Sequence, residues 1–158
     1  MAIRVSVETP LQDDVRALVE GLNAHLLPLS PLEFQFKMTV EQMAGPDTTV
    51  FVARDEDGKA VGCGALKMHE DGVGEVKRMF TLPEVRGKRV GSVLVDAIVD
   101  QARAKGISRL VLETGTGPGF AGAWRLYENS GFTRCGVVLD YPDSEYSAFF
   151  EKRLVEAH

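Results

Sequence analysis

Apolar positions along this chain switch between two periods, and the switches mark its elements. Ile3, Val5 and Val7 alternate with polar residues, the two-residue period of a strand. Val15, Leu18, Val19 and Leu22 then recur at helical spacing inside Leu11 to Leu27, which predicts a helix. A Pro-punctuated apolar piece follows from Leu26 to Phe36. Thr39 to Met43 reads as a short helix, with Thr39 and Gln42 at capping-box spacing. Thr48 to Arg54 and Ala60 to Met68 predict a hairpin around Asp55-Glu56-Asp57-Gly58. Glu70-Asp71-Gly72 turns the chain into a further strand, Gly74 to Leu82. Val90, Leu94, Ala97, Ile98 and Ala102 share one side of a helix that ends before Gly106. Arg109 to Glu113 is a short strand, Gly115 to Gly119 a loop, and Phe120 to Ser130 a helix stopped by Gly131. Strands at Cys135 to Leu139 and Ala148 to Lys152 complete the series. The pattern predicts a mixed α/β (α+β) fold of about seven strands and about four helices. The sheet should be mostly antiparallel, with a parallel crossover between the fourth and fifth strands because a helix joins them.

Composition narrows the class. At 158 residues, 44% of them apolar and 26% charged, the chain suits one soluble domain spanning 1–158. A net charge of −5 argues against nucleic acid as a partner. The start, Met1-Ala2-Ile3-Arg4-Val5-Ser6, lacks a long apolar region, and no stretch approaches the ~20 apolar residues of a membrane span. The expectation is a cytoplasmic protein with no membrane partner. Cys63 and Cys135 sit in apolar strand-like runs and read as buried small hydrophobes rather than a disulfide or a catalytic thiol. His25, His69 and His158 are scattered, so no metal is expected.

Against that acidic background Arg86-Gly87-Lys88-Arg89-Val90-Gly91-Ser92 stands out. A Gly-containing turn that opens a helix offers unpaired N–H groups and the positive end of the helix dipole, a setting for a pyrophosphate. The N–H groups of Gly87, Lys88, Arg89, Val90 and Gly91 would converge as a nest, with Gly87 and Gly91 leaving room for close approach. Arg86 and Lys88 add charge. The plain alternative is a solvated basic turn. A GxGxxG dinucleotide loop fails on spacing, and no acidic-ended strand follows at the required distance.

These residues resemble the cofactor loop of the GNAT N-acetyltransferase superfamily, Gln/Arg-x-x-Gly-x-Gly/Ala. Arg86, Arg89 and Gly91 stand at its three defined positions, with Arg89 replacing the central Gly. At a helix start Arg89 is expected to keep φ near −60° and still offer its N–H. A second stretch, Ala123-Trp124-Arg125-Leu126-Tyr127-Glu128-Asn129-Ser130-Gly131-Phe132, resembles the family's Ala-x-x-Leu-Tyr-x-x-x-Gly-Phe helix. Phe120 stands where an Asn often precedes that Ala. The resemblance implies a GNAT acyl-CoA N-acyltransferase fold, whose fourth and fifth strands splay apart around pantetheine. It implies acetyl-CoA as cosubstrate and acetyl transfer to an amine. By the same resemblance Met79, Phe80 and Thr81 supply backbone contacts to pantetheine, and Arg86 to Ser92 cradle the diphosphate. Phe120, Ala123 and Tyr127 are the share of the second motif in the cofactor site.

The resemblance makes Tyr127 the general acid. Coenzyme A leaves as a thiolate whose pKa is about 8.5, and a phenol can protonate it. By residue type alone, a Tyr on an apolar helix face is ordinarily core. Glu75, eleven residues before Arg86, fits the position of the base in some members. A cationic amine of pKa about 10 must lose a proton before it attacks. Glu75 lies ~13 Å along an extended strand from Met79, so a water relay is expected. Alternation puts Glu75, Lys77 and Met79 on one face unless a bulge intervenes; the plain alternative is a surface charge. A backbone N–H at Met79 or Phe80 is the candidate oxyanion donor. Leu26 to Phe36 and the loop Asp140 to Tyr146 match acceptor-lining regions, and the acidic loop suits a cationic amine. Neither Cys has a nucleophile's context, so direct transfer in a ternary complex is expected. A small amine is the first acceptor class, and a protein N-terminus or lysine the second. A non-catalytic acyl-CoA sensor is the rival from another class. A homodimer is in keeping with the resemblance.

Overall fold

The computed structural model describes residues 2–154. The elements are β1 (Arg4–Val7), α1 (Asp13–Leu26), α2 (Val40–Met43), β2 (Thr48–Arg54), β3 (Ala60–Met68), β4 (Val73–Thr81), α3 (Val90–Ala104), β5 (Arg109–Gly115), α4 (Ala121–Asn129), β6 (Thr133–Cys135) and β7 (Ser147–Arg153). One seven-stranded sheet runs in the order β1-β2-β3-β4-β5-β7-β6. Its neighbours are antiparallel except β4 and β5, which α3 joins as a parallel crossover. No described helix is long and apolar enough to cross a membrane.

Local signals in the sequence produce these elements. The Thr39 hydroxyl accepts from the Gln42 N–H at 3.1 Å while the Gln42 side chain accepts from the Thr39 N–H at 2.8 Å, the reciprocal cap that starts α2. Gly106 (φ 77°) and Gly131 (φ 90°) follow α3 and α4, where a left-handed residue ends a helix.

One sheet face packs on α3 and α4, with Leu66, Val76, Leu110 and Phe150 against Leu94, Ile98 and Tyr127. Leu94 and Ile98 have no exposed surface, and burying such a side chain contributes about 1.5–3 kcal/mol. The opposite face is covered in two pieces. α1 and α2 lie over β2–β4, with Val15, Leu18 and Met43 against Val50, Val52 and Phe80. Val138 and Tyr141, from the stretch between β6 and β7, lie over Val111 and Phe149. The join between the two pieces runs along β4 and β5.

At that join the sheet opens. β4 and β5 pair only at Val73↔Arg109, Gly74↔Leu110 and Glu75↔Val111. Past Glu75, β4 keeps only β3 as its neighbour and β5 keeps only β7. The expected splay is present.

A bulge alters the faces of β4. The register with β3 jumps from Cys63↔Phe80 to Ala65↔Lys77, so two residues, Arg78 and Met79, stand opposite Gly64. Arg78 takes φ 56°. Glu75 and Lys77 share a face as alternation requires, but Met79 does not join them. Its thioether fills the space over Gly64 beside Ile98, which only a residue without a side chain permits. Arg78 moves to the α1 face, where its guanidinium donates to Asn23 Oδ1.

Two boundaries also differ from expectation. β5 continues through Gly115 because β7 pairs with it along its whole length. β6 occupies Thr133–Cys135 rather than 135–139; past Gly136 the chain leaves the edge, turns Val138 onto Val111 and bends at Leu139 with φ 53°. Cys63 is buried as expected, whereas Cys135, on the edge strand, is half-buried.

Candidate functional site

A continuous cleft of about 1080 Å³ runs from the loop before α3, through the gap between β4 and β5, to Glu75 and Tyr141. It gathers Glu75, Met79, Phe80, Thr81, Arg86, Gly87, Arg89, Val90, Gly91, Ser92, Phe120, Ala123 and Tyr127. Lys88 is exposed and does not line it.

At the α3 end a single 3₁₀ turn, Pro83–Val85, carries the chain from β4 toward α3. The Arg86 N–H donates to Pro83 O at 3.3 Å and the Lys88 N–H to Val85 O at 3.1 Å. The expected nest therefore loses Lys88, whose amide is already used. In α3 the Val93 N–H is the first to bond, to Arg89 O at 3.1 Å. The N–H groups of Gly87, Arg89, Val90, Gly91 and Ser92 have no backbone partner among the described residues, as a helix start dictates. They offer a diphosphate several donors at the positive end of the helix dipole. Gly87 holds φ 83°, and a Cβ there would meet nothing within 4 Å, so its role is conformational. Gly91 serves packing instead: a Cβ would come within 3.1 Å of Leu126 Cδ2, so its absence lets α3 approach α4.

Arg89 corrects the expectation of an ordinary helical φ. It holds φ 66°, the left-handed conformation that suits the family's Gly at this place. For a residue with a Cβ this costs about 1–2 kcal/mol. Arg89→Gly is therefore expected to raise stability by about 0.5–1 kcal/mol, after the extra chain entropy of Gly is subtracted. Urea unfolding checks this, and an unchanged or lower midpoint would refute it.

The Arg86 guanidinium donates to Thr81 O at 3.3 Å and lies 5.7 Å over the Phe80 ring, so its charge is held at the mouth of the cleft. Burial, then the Arg86 charge, hold the nearby His25 imidazole below its ordinary pKa.

Tyr127 lines the cleft from α4. Its ring packs edge-on against Phe132 at 5.8 Å and beside Phe150 at 6.2 Å. Its hydroxyl makes no hydrogen bond among the described residues. Burial, then the Glu113 charge, push its pKa up, so the phenol keeps its proton. The Trp124 indole N–H donates to Gly115 O at 2.9 Å and ties α4 to the end of β5. Phe120 lays its ring over Gly115.

Glu75 is only 2% exposed. Its Oε1 meets His69 Nε2 at 2.9 Å, and its Oε2 accepts from Lys77 Nζ at 3.3 Å and from the Tyr141 hydroxyl. Lys77 Nζ also donates to Tyr141 at 2.8 Å. Burial, then the Glu75 charge, raise the Tyr141 pKa, which makes Tyr141 a donor toward Glu75.

The segments expected to bound the acceptor side do close this end. Gln35 Nε2 donates to Leu26 O and Leu27 O at 3.1 Å and to Ser30 O at 2.6 Å, which folds the 26–36 piece on itself. Phe36 packs edge-on against Tyr141 at 5.1 Å, and Phe34 lies 5.0 Å from Tyr146. Asp140, Asp143 and Glu145 are exposed and do not line the cleft; Tyr141 represents the loop there.

Glu113 and Arg78 are among the cleft residues that escaped the sequence reading. Glu113 accepts from Ser147 Oγ at 2.8 Å, and burial raises its pKa. Arg78 is buried with no carboxylate within ion-pair distance among the described residues. For Glu113 the available signal was a carboxylate following the apolar run Leu110–Leu112; Arg78 stands in a strand that also carries Glu75 and Lys77, so nothing in its sequence context signalled it.

Strands held apart beside a ring of free amides make the architecture of an acyl-coenzyme A N-acyltransferase. The sequence agrees: residues 19–132 match the acetyltransferase (GNAT) family, and the chain belongs to that family of N-acetyltransferases. It is 41% identical over 153 residues to a protein of Azospirillum brasilense named IAA acetyltransferase, covering 96% of this chain and 98% of that one. A solved structure from Klebsiella pneumoniae, assigned to the acyl-CoA N-acyltransferases, superposes with a TM-score of 0.81 at 28% identity over 97% of this chain and 98% of the other. The PaiA N-acetyltransferase of Thermoplasma acidophilum, solved with coenzyme A, shares the fold at a TM-score of 0.74 and 17% identity, covering 97% of this chain and 99% of that one.

Proposed function

We propose that this enzyme moves the acetyl group of acetyl-CoA directly to the primary amine of a small molecule, in a ternary complex. The observation that carries this reading is that one cleft crosses the sheet between β4 and β5, with the free amides of α3 at one end and the roof of Phe36 and Tyr141 at the other. The coenzyme A bound by the Thermoplasma relative supports acetyl-CoA as cosubstrate. The free amides hold the diphosphate, aided by Arg86 and Arg89. Met79 to Thr81, the β4 edge that β5 leaves open, receives pantetheine.

The amine lone pair attacks the thioester carbonyl carbon, and a backbone N–H at Met79 or Phe80 holds the resulting oxyanion. Collapse breaks the C–S bond, and the Tyr127 hydroxyl donates its proton to the departing thiolate. The ammonium proton passes through Tyr141 to Glu75. Packing of the 26–36 piece against Tyr141 and Tyr146 confines the acceptor end, which favours a small molecule over a folded protein.

Thiol release from acetyl-CoA across an amine panel tests the reading. The expected result is amine-dependent release, intersecting initial-velocity lines, and no acetylated protein by mass spectrometry. Tight acetyl-CoA binding with no amine acetylated would favour the sensor reading, and parallel lines would rule out the ternary complex. Arg86→Glu is expected to weaken acetyl-CoA binding about tenfold, or about 1.4 kcal/mol; unchanged affinity in calorimetry removes Arg86 from the diphosphate site.

A further inference from the structure

Two buried side-chain polar atoms lack a hydrogen-bond partner among the described residues, Gln35 Oε1 and Arg78 Nε. Both residues line the same cleft. Buried polar atoms are nearly always paired, so an orphan needs a reason.

Arg78 is the stronger case. It is 8% exposed, and its hydrogen bond among the described residues goes to a neutral amide oxygen, Asn23 Oδ1. Two less buried cations do have anions: Lys77 meets Glu75 at 3.3 Å, and Arg54 meets Glu8 and Asp14 at 2.7 Å each. A buried cation without an anion is unfavourable, and the left-handed φ of 56° at Arg78 adds backbone cost. That bulge is what turns the side chain to the α1 face, where Phe36 and Tyr141 roof the cleft. α3, whose free amides would hold the diphosphate, packs with Tyr127 on the opposite face, whereas the Arg78 guanidinium is bonded to α1. The Gln35 amide is fixed by its three carbonyl contacts, which leaves Oε1 as an unused acceptor.

We propose that Arg78 is the subsite for a carboxylate carried by the acceptor beside its amine, with Gln35 Oε1 taking an N–H of the same molecule. The acceptor is then amino-acid-like. Asn23 engages one N–H of the guanidinium, which leaves Nε–H and a neighbouring N–H for the two-point contact that a planar carboxylate favours. This proposal rests on the N-acetyltransferase reading and narrows it.

The first test compares acetylation of the standard amino acids with that of their C-terminal amides. The best acid should exceed its amide by about 30-fold in kcat/KM. Arg78→Met should bring that ratio to about one by raising KM for the acid, with acetyl-CoA affinity unchanged, and Arg78→Lys should restore part of it. Amides that react as well as acids, or a ratio untouched by Arg78→Met, overturn the subsite. The second test uses the wild-type protein saturated with acetyl-CoA, which covers a variant that fails to fold. The Arg78 Nε–H resonance should move on titration with acetate and stay fixed with acetamide. A resonance indifferent to acetate, or equally responsive to both, refutes the subsite. If that resonance answers acetate while no amine is acetylated, the transfer reading falls and the carboxylate site stands.

Discussion

Replacing Tyr127 by Phe is expected to lower kcat about 100-fold while acetyl-CoA affinity stays within about twofold. The substitution removes one oxygen that has no partner among the described residues, so folding stability should change by less than about 0.5 kcal/mol. The whole loss then belongs to the step in which the C–S bond breaks. A raised phenol pKa looks at first unsuited to an acid, because a free thiol has a pKa of only about 8.5. The protein supplies its own comparison. Burial pushes the Cys63 thiol up to about 12, against the lowering effect of the Arg78 charge. A coenzyme A thiolate formed against the buried Tyr127 would be raised by desolvation in the same direction, which brings donor and acceptor closer together. A proton or a strong hydrogen bond from Tyr127 then stabilises a charge that exists only late in the reaction, which affects kcat rather than binding. An unchanged kcat, or a loss confined to KM, would return Tyr127 to the ordinary role of a core tyrosine.

The motif positions were legible because they depend on neighbours in sequence. The cap of α2 needs only Thr39 and Gln42, and the stops at Gly106 and Gly131 need only glycine. Arg86, Gly91 and Tyr127 came from spacing along two segments, and the fold brings those segments to one cleft. What escaped depends on contacts between distant segments. The bulge at Arg78 and Met79 is set by the register with β3 and by the room that Gly64 leaves for the Met79 thioether. No periodicity inside β4 announces it, yet it decides that Arg78 faces α1 and Met79 faces α3. Lys88 loses its place in the nest because its amide closes a turn onto Val85. Arg89 departs from the helical φ because the turn, not the helix that follows, fixes its backbone. β6 was misplaced because Val138 finds a packing site on Val111 and Phe149 that an isolated strand pattern does not contain.

Glu75→Gln is expected to cost about 100-fold in kcat/KM near neutral pH. Glutamine keeps the shape and an acceptor for the Tyr141 hydroxyl but cannot take the ammonium proton. It also leaves Lys77 Nζ without its carboxylate partner, so rates must be referred to folded protein. Glu113 is the control, because it lines the same gap and is not assigned a proton here. Its folded-state pKa lies above the ordinary value of 4.5, with burial the main cause. Below that value the carboxyl is protonated in folded and unfolded chains alike, and the shift contributes nothing. As pH rises through 4.5 and then through the higher folded-state value, ionisation is easier in the unfolded chain, and stability is lost. Glu113→Gln should therefore be more stable than wild type at pH 7 and no more stable at pH 4, with kcat/KM near the wild-type value. Should Glu113→Gln lose kcat/KM about 100-fold while Glu75→Gln keeps it, the base lies on β5. The buried Glu75 cluster would then serve to hold Tyr141 and Lys77 in place rather than to move a proton.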